Sequence, residues 1–128
     1  MMHTRSTDIL KASGVIAKTT ETVMGGEINV SGYDFLTLFV VYTKGDETGV
    51  NIYPYFLRVS AGDEYPFVVW TASTGTYTAA VAKLQLAATA KRAYTFDVRG
   101  IEIVKFYQGG SNNDGTPTGT IAAAYTMS

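Results

Sequence analysis

The stretch 27–38 reads EINVSGYDFLTL and contains the pattern that decides the fold: a strand end, a tight turn with a glycine, and a second strand introduced by an acidic residue. The stretch 95–106, TFDVRGIEIVKF, repeats this pattern 68 residues later. Two interpretations are open. In the first, the likeness is convergence, since any two antiparallel strands joined by a tight turn look alike. In the second, the two stretches are equivalent strand pairs in the two halves of a doubled Greek key. Both interpretations favour a β-sandwich.

Turn residues recur at short intervals along the rest of the chain, with glycine beside Asn, Asp, Ser or Lys. Between them lie runs rich in β-branched and aromatic residues, which suit a pleated, half-buried surface. This pattern predicts an all-β fold, an antiparallel β-sandwich of jelly-roll type with about eight or nine strands. The predicted strands are 8–17, 20–30, 34–43, 48–59, 65–72, 76–87, 92–98, 101–108 and 118–127.

The alanine-rich segment 78–91 is the one stretch that also fits a helix, whose apolar face would comprise Ala80, Leu84, Ala87 and Ala88. A period of two fits it as well and places Lys83 and Gln85 on the same face. This shared polar face favours a strand.

The chain has 128 residues, enough for one domain and its core. Residues 1–7 lack apolar periodicity and are predicted to form a flexible N-terminal arm, with 8–128 forming a single β-sandwich domain. The predicted core includes Leu36, Leu38, Val40, Phe96, Val98, Ile103 and Phe106.

Composition excludes several classes of protein. The net charge is −1 and only 16% of residues are charged, which argues against direct binding to nucleic acid. There is no cysteine, and hence no disulfide framework or thiol nucleophile. No apolar run matches a signal peptide or a membrane span, so we expect synthesis in the cytoplasm and no membrane contact.

No motif in the sequence predicts catalysis, a cofactor or a metal. The single histidine, His3, lies in the predicted arm, where it lacks rigid positioning. The acidic pairs 46–47 and 63–64 lie in predicted turns and are expected to serve solubility and turn formation. The oxygen-rich loop 112–115 lacks the alternating ligands of a calcium loop. We therefore predict that the protein is not an enzyme.

The strand predicted at 34–43 is apolar on both faces over residues 35–43 (FLTLFVVYT), whereas a strand with one wet face should alternate. We expect it to be central, with a loop or a neighbouring subunit on its outer side.

Aromatic residues concentrate between residues 53 and 77, and this cluster is the best candidate for a binding surface. Tyr53 and Tyr55 alternate with apolar residues, so one of the two sets must face away from the core. Pro54 places their strand at a sheet edge or a bulge. The predicted interface residues are Tyr53, Tyr55 and Trp70. A row of such rings would anchor a protein partner, or would stack on sugars in a carbohydrate-binding module.

The chain resembles the small jelly-roll structural proteins of tailed bacteriophage virions, of the head-decoration and accessory type. The likeness rests on the strand-turn-strand at 28–38, the hairpin entry at 40–45, the terminal strand at 119–125 and the weakly charged Ser/Thr/Gly/Ala texture. It implies a decoration or cement subunit of the capsid that resides in the virion. Its implied partners are other virion proteins, the major capsid protein among them, and further copies of itself.

Overall fold

The structure is a computed structural model that describes residues 6–17, 21–73, 76–110 and 116–128. In these ranges the backbone forms eleven strands and no helix. The strands are β1 (Ser6–Val15), β2 (Thr22–Asn29), β3 (Phe35–Thr43), β4 (Val50–Leu57), β5 (Glu64–Pro66), β6 (Val68–Ser73), β7 (Thr76–Val81), β8 (Leu84–Leu86), β9 (Ala90–Asp97), β10 (Ile103–Gly110) and β11 (Thr120–Met127).

Two antiparallel sheets form a jelly roll, in which one long hairpin is rolled up on itself. The pairing runs inward from the chain ends: β1 with β11, β2 with β10, β3 with β9 and β4 with β8. Rolling adds the contacts of β11 with β3 and of β10 with β4. The result is a four-stranded sheet, β1-β11-β3-β9, and a five-stranded sheet, β2-β10-β4-β5 with β8 also on β4. The predicted jelly-roll sandwich is confirmed.

The two repeated stretches occupy equivalent places in this roll. One forms the end of β2, a turn and the start of β3, and the other forms the end of β9, a turn and the start of β10. The turns exchange matching hydrogen bonds, from the Val30 N–H to the Glu102 carbonyl and from the Val98 N–H to the Asp34 carbonyl, both at 2.9 Å. The two donors, Val30 and Val98, are 68 residues apart, and so are the two acceptors, Asp34 and Glu102. The geometry supports the interpretation as equivalent halves of a doubled Greek key.

Each of these turns is closed by the same bond and depends on the same residue type. The N–H groups of Tyr33 and Ile101 donate back across the turn at 3.0 and 2.9 Å. The residues before them, Gly32 and Gly100, have φ values of 84° and 80°. Only glycine adopts this conformation at little cost, as a type II turn requires.

The core lies between the inward faces of the two sheets, where β3 presents four side chains that are at most 1% exposed, those of Leu36, Leu38, Val40 and Tyr42. Full burial of such a side chain stabilises the fold by about 1.5–3 kcal/mol. All the predicted core residues are buried, although Ile103 lies outside the main cluster. The buried set is Leu36, Leu38, Val40, Phe96, Val98, Ile103 and Phe106.

Most strand boundaries differ from the prediction by one or two residues, and three differences are larger or change an assignment. The predicted strand 65–72 is divided into β5 and β6, and the predicted strand 76–87 is divided into β7 and β8. The segment 78–91 contains strands and no helix, as its period of two indicated. Ser6 and Thr7, assigned to the arm, pair with Met127 and Thr126 at the start of β1. Residues 1–5 of the arm, with His3, lie outside the described residues.

The expectation for Pro54 was wrong, because β4 is an inner strand and its pairing with β10 is regular. The Pro54 carbonyl accepts a bond from the Phe67 N–H at 3.1 Å, so the Pro54 nitrogen also points away from β10. On that side β8 pairs with residues 50–52 and β5 with residues 55–57. Proline fits here because its missing donor falls in the gap between these two short strands.

Candidate interaction surfaces

The outer side of the four-stranded sheet carries most of the large exposed apolar side chains in the described residues. β3 lies between β11 and β9, and its inward residues alternate with the outward Phe39 and Val41, which are 45% and 44% exposed. On β1, Ile9 is 73% and Val15 is 59% exposed. We call this side the apolar face. Its members are Ile9, Val15, Phe35, Phe39, Val41, Ala93, Ala122 and Ala124.

The apolar face has a ridge and a groove. Phe39 and Val41 form the ridge on β3, and the small side chains of Ala122 and Ala124 lie beside them on β11. A shallow groove of about 320 Å³ runs over these alanines, and Ile9 on β1 forms its far wall. A strand of small residues between two strands of large ones produces this shape.

Among the described residues, the charged groups of the apolar face lie around its rim, and they include Lys11 on the edge strand β1, beside the groove. Lys91 pairs with Val41 at one end of β9, and Asp97 pairs with Phe35 at the other end. Asp97 accepts hydrogen bonds from the Arg99 side chain, which lowers the pKa of Asp97 to about 2. The Arg99 guanidinium lies 5.8 Å from the centre of the Phe35 ring. The centre of the face therefore presents hydrocarbon and threonine hydroxyls to its surroundings.

The outer side of the five-stranded sheet carries tyrosines. Tyr53 and Tyr55 both point outward from β4, whereas Ile52 and Phe56 belong to or pack against the core. Tyr53 pairs with Tyr107 on β10, and the ring of Tyr107 meets that of Tyr55 edge-on at 5.1 Å. We call these three residues the tyrosine face. The structure thus brings together two of the predicted interface residues.

Carboxylates hold two of the three tyrosine hydroxyl groups in place, and the third, that of Tyr53, accepts a bond from the Asn51 amide. The Tyr55 hydroxyl donates to Glu21 at 2.9 Å, and burial together with this bond raises the pKa of Tyr55 to about 12. The Tyr107 hydroxyl donates to Glu64 at 2.6 Å, and this bond, the largest cause, lowers the pKa of Glu64. Lys105 donates to the same carboxylate at 3.1 Å. Surface pairs of this kind fix side-chain positions more than they stabilise the fold.

Sequence reasoning missed Tyr107 and Lys105, although the alternation in β10 contained the signal. Phe106 points into the core, so its neighbours on either side face outward. The third predicted residue, Trp70, lies in β6 and pairs with Ala79 of β7 through the backbone. Its side chain lies outside the described residues, so its role as an anchor stays a prediction.

Glu47 has a role that the sequence did not reveal. It was expected to serve solubility in a turn, but it is 4% exposed and connects two loops. Its carboxylate accepts bonds from the Tyr42 hydroxyl, from the Gly45 N–H at 2.7 Å and from the Gly119 N–H at 2.8 Å. Burial acts to raise the pKa of Glu47, but these bonds outweigh it and lower the pKa from 4.5 to about 2. Glu47 is a structural latch, since each carboxylate oxygen is occupied.

Within the described ranges, no group of three or more His, Asp or Glu side chains could hold a metal ion. No helix in the same ranges is long and apolar enough to cross a membrane. The oxygen-rich loop 112–115 lies outside the described residues.

Comparison with known proteins gives matches of fold. No protein-family model and no curated protein matches the chain. Among solved structures, the crystal structure of the SPBc2 prophage-derived protein YomS matches with a TM-score of 0.57 at 17% identity, covering 97% of this chain and 92% of that one. A chain in the structure of infectious bursal disease virus, Gx strain, matches with a TM-score of 0.55 at 10% identity. This second match covers 97% of the present chain but 31% of the viral chain. At these identities the likeness shows a shared jelly-roll fold.

Proposed function

We propose that the protein is a non-catalytic structural subunit of a bacteriophage virion, a capsid decoration or head-accessory protein. In this role it binds other virion proteins, with the major capsid protein as the principal partner, and associates with further copies of itself. The observation that carries the proposal is the apolar face. Ile9, Phe39 and Val41 expose hydrocarbon on one side of a small domain, where a solitary soluble protein would expose polar groups.

Two further observations support a role in assembly. The chain has the fold of a prophage-derived protein and of part of a virus structure. It also has two unlike outer surfaces, one apolar and one built of tyrosines and carboxylates, on opposite sides of the sandwich. A subunit with two such surfaces contacts two kinds of neighbour. The apolar face suits its own copies, and the tyrosine face suits a larger shell protein, because tyrosine is enriched at protein interfaces.

The test is to purify virus particles made from the genome that encodes this chain and to measure the copy number of the chain by quantitative mass spectrometry. We expect it in a fixed ratio to the major capsid protein. Particles assembled without it should bind the purified chain again, and Tyr53→Ala should weaken this binding. Asp46→Asn, at an exposed site in the turn after β3, is the control. Absence of the chain from particles, together with no rebinding, contradicts the proposal.

A second candidate function is a carbohydrate-binding module, and the tyrosine face is the observation that favours it. Aromatic rings stack on the apolar faces of sugars, and neighbouring carboxylates such as Glu21 and Glu64 accept bonds from sugar hydroxyls. A glycan-array screen of the wild-type chain separates the two functions. Glycan binding that Tyr53→Ala and Tyr55→Ala both abolish would establish the module, and its absence would leave the structural role.

A further inference from the structure

The apolar face has the size of a stable protein interface. Four strands about 4.8 Å apart and eight residues of about 3.4 Å rise cover roughly 500 Å² in projection. Side chains that stand out from the sheet, such as Ile9 and Phe39, make the accessible area larger than this projection. A standard interface buries about 600–1,000 Å² of accessible surface on each partner. One such face is therefore large enough to form a standard interface with one partner of equal size.

The relief of the face lets a large side chain of one copy meet a small side chain of another. The ridge of Phe39 and Val41 lies directly beside the groove over Ala122 and Ala124. When two copies meet face to face with β3 over β3 in the reverse direction, the Phe39 ring of each lies over Thr37 of the other. Sheets that pack in this way stand about 10 Å apart, and their side chains interdigitate.

Rim charges select one of the two ways in which a two-fold axis can relate the copies. An axis along the strands places β9 over β1 and brings Lys91 near Lys11, which flanks the same end of the groove. An axis across the strands places β9 over β9 in the opposite direction. In that arrangement Lys91 lies opposite Asp97 at both ends. Like charges disfavour the first arrangement, whereas in the second Lys91 meets Asp97 together with its partner Arg99 and finds no unpaired like charge.

We propose that the apolar face binds a second copy of this chain, face to face, about a two-fold axis that runs across the strands. This inference rests on the proposed structural role and names the partner and the geometry of its self-association. Phe39 lies near the centre of the interface, and Lys91 and Asp97 form its two charged ends. The tyrosine face stays free in this dimer for a different partner.

Sedimentation equilibrium over a wide range of concentration tests the dimer. The wild-type chain should be dimeric, and Phe39→Asp should raise the dissociation constant by at least about thirtyfold, the loss expected at the centre of an interface. Phe39→Thr keeps a residue that suits a strand and should weaken the dimer as well, so the test holds even if the aspartate variant fails to fold. Val59→Asp adds the same charge at another exposed valine and should leave the dimer unchanged.

Charge reversal tests the orientation. Lys91→Glu places a carboxylate opposite Asp97 and should weaken the dimer several-fold, whereas Lys83→Glu, outside the face, should not. In the alternative orientation, Lys91→Glu would face Lys11 and strengthen the dimer. A stronger dimer therefore overturns the proposed axis.

Because the chain has no cysteine, a single Thr95→Cys carries one spin label per copy. Thr95 faces outward beside Thr37, so labels across a face-to-face interface should lie within about 20 Å, given sheets about 10 Å apart. In a dimer through the tyrosine face, the thickness of one sandwich in each copy would be added to the distance between the two labels. Such a long distance would overturn the proposal. A monomeric wild-type chain also overturns it. If that monomer still joins particles, the proposed function stands, whereas a dimer absent from particles refutes the function alone.

Discussion

Replacing Glu47 by glutamine removes the charge that joins the loop after β3 to the irregular segment before β11. The pKa of Glu47 lies near 2 in the folded chain, against 4.5 for the free side chain. Each pKa unit corresponds to about 1.4 kcal/mol, so the ionised latch contributes on the order of 3 kcal/mol to the free energy of unfolding. For a domain of this size, Glu47→Gln should lower Tm by roughly 10 °C at pH 7.

The contribution of the latch depends on pH with a definite sign. A carboxylate whose pKa is lower in the folded state stabilises the fold above its unfolded pKa, and this stabilisation is lost as pH falls through the folded value. The difference in unfolding free energy between wild type and Glu47→Gln should therefore be full above about pH 5 and shrink by about 3 kcal/mol towards pH 2. Other carboxylates titrate alike in both proteins and cancel in this difference.

Urea unfolding followed by circular dichroism at several pH values measures this difference. Asp46→Asn is the matched control, because Asp46 is the neighbouring acidic residue and is exposed. It should change the free energy of unfolding by less than about 0.5 kcal/mol at every pH. A difference between wild type and Glu47→Gln that stays constant from pH 7 to pH 2 would refute the reasoning, because the latch would then act without its charge.

Four further substitutions test the same structural account. Gly119→Ala places a methyl group against the Glu47 carboxylate, so it should lower the free energy of unfolding. In a double-mutant cycle with Glu47→Gln, the double variant should lose less of this free energy than the sum of the two single losses. In Gly32→Ala and Gly100→Ala the new methyl group has room, but the backbone φ is positive at both positions, so each variant should lower the free energy of unfolding by about 1–2 kcal/mol. Clearly unequal losses would contradict the equivalence of the two turns. Lys105→Met removes a surface ion pair with Glu64 and should change stability by less than about 1 kcal/mol in thermal unfolding.

The sequence by itself determined the strands and the side of the sheet on which most side chains lie. This information is local: turn glycines punctuate the chain, and a period of two assigns alternate residues to opposite faces. It sufficed to predict that Tyr53 and Tyr55 share a face, that β3 is apolar on both sides, and that the stretches at 27–38 and 95–106 correspond.

Only the tertiary structure decided which faces meet and which stay open. The role of Glu47 could not be predicted, because Glu47 and Thr118 are 71 residues apart and a turn sequence does not show which distant N–H groups will surround its carboxylate. Pro54 likewise predicts an edge strand from the sequence alone, whereas the structure shows an inner strand with a gap between β5 and β8 beside the proline. The apolar face and the tyrosine face form only when β1, β3, β9 and β11 come together in one sheet and β4 and β10 in the other, because pairing between strands far apart in the chain is a property of the whole roll.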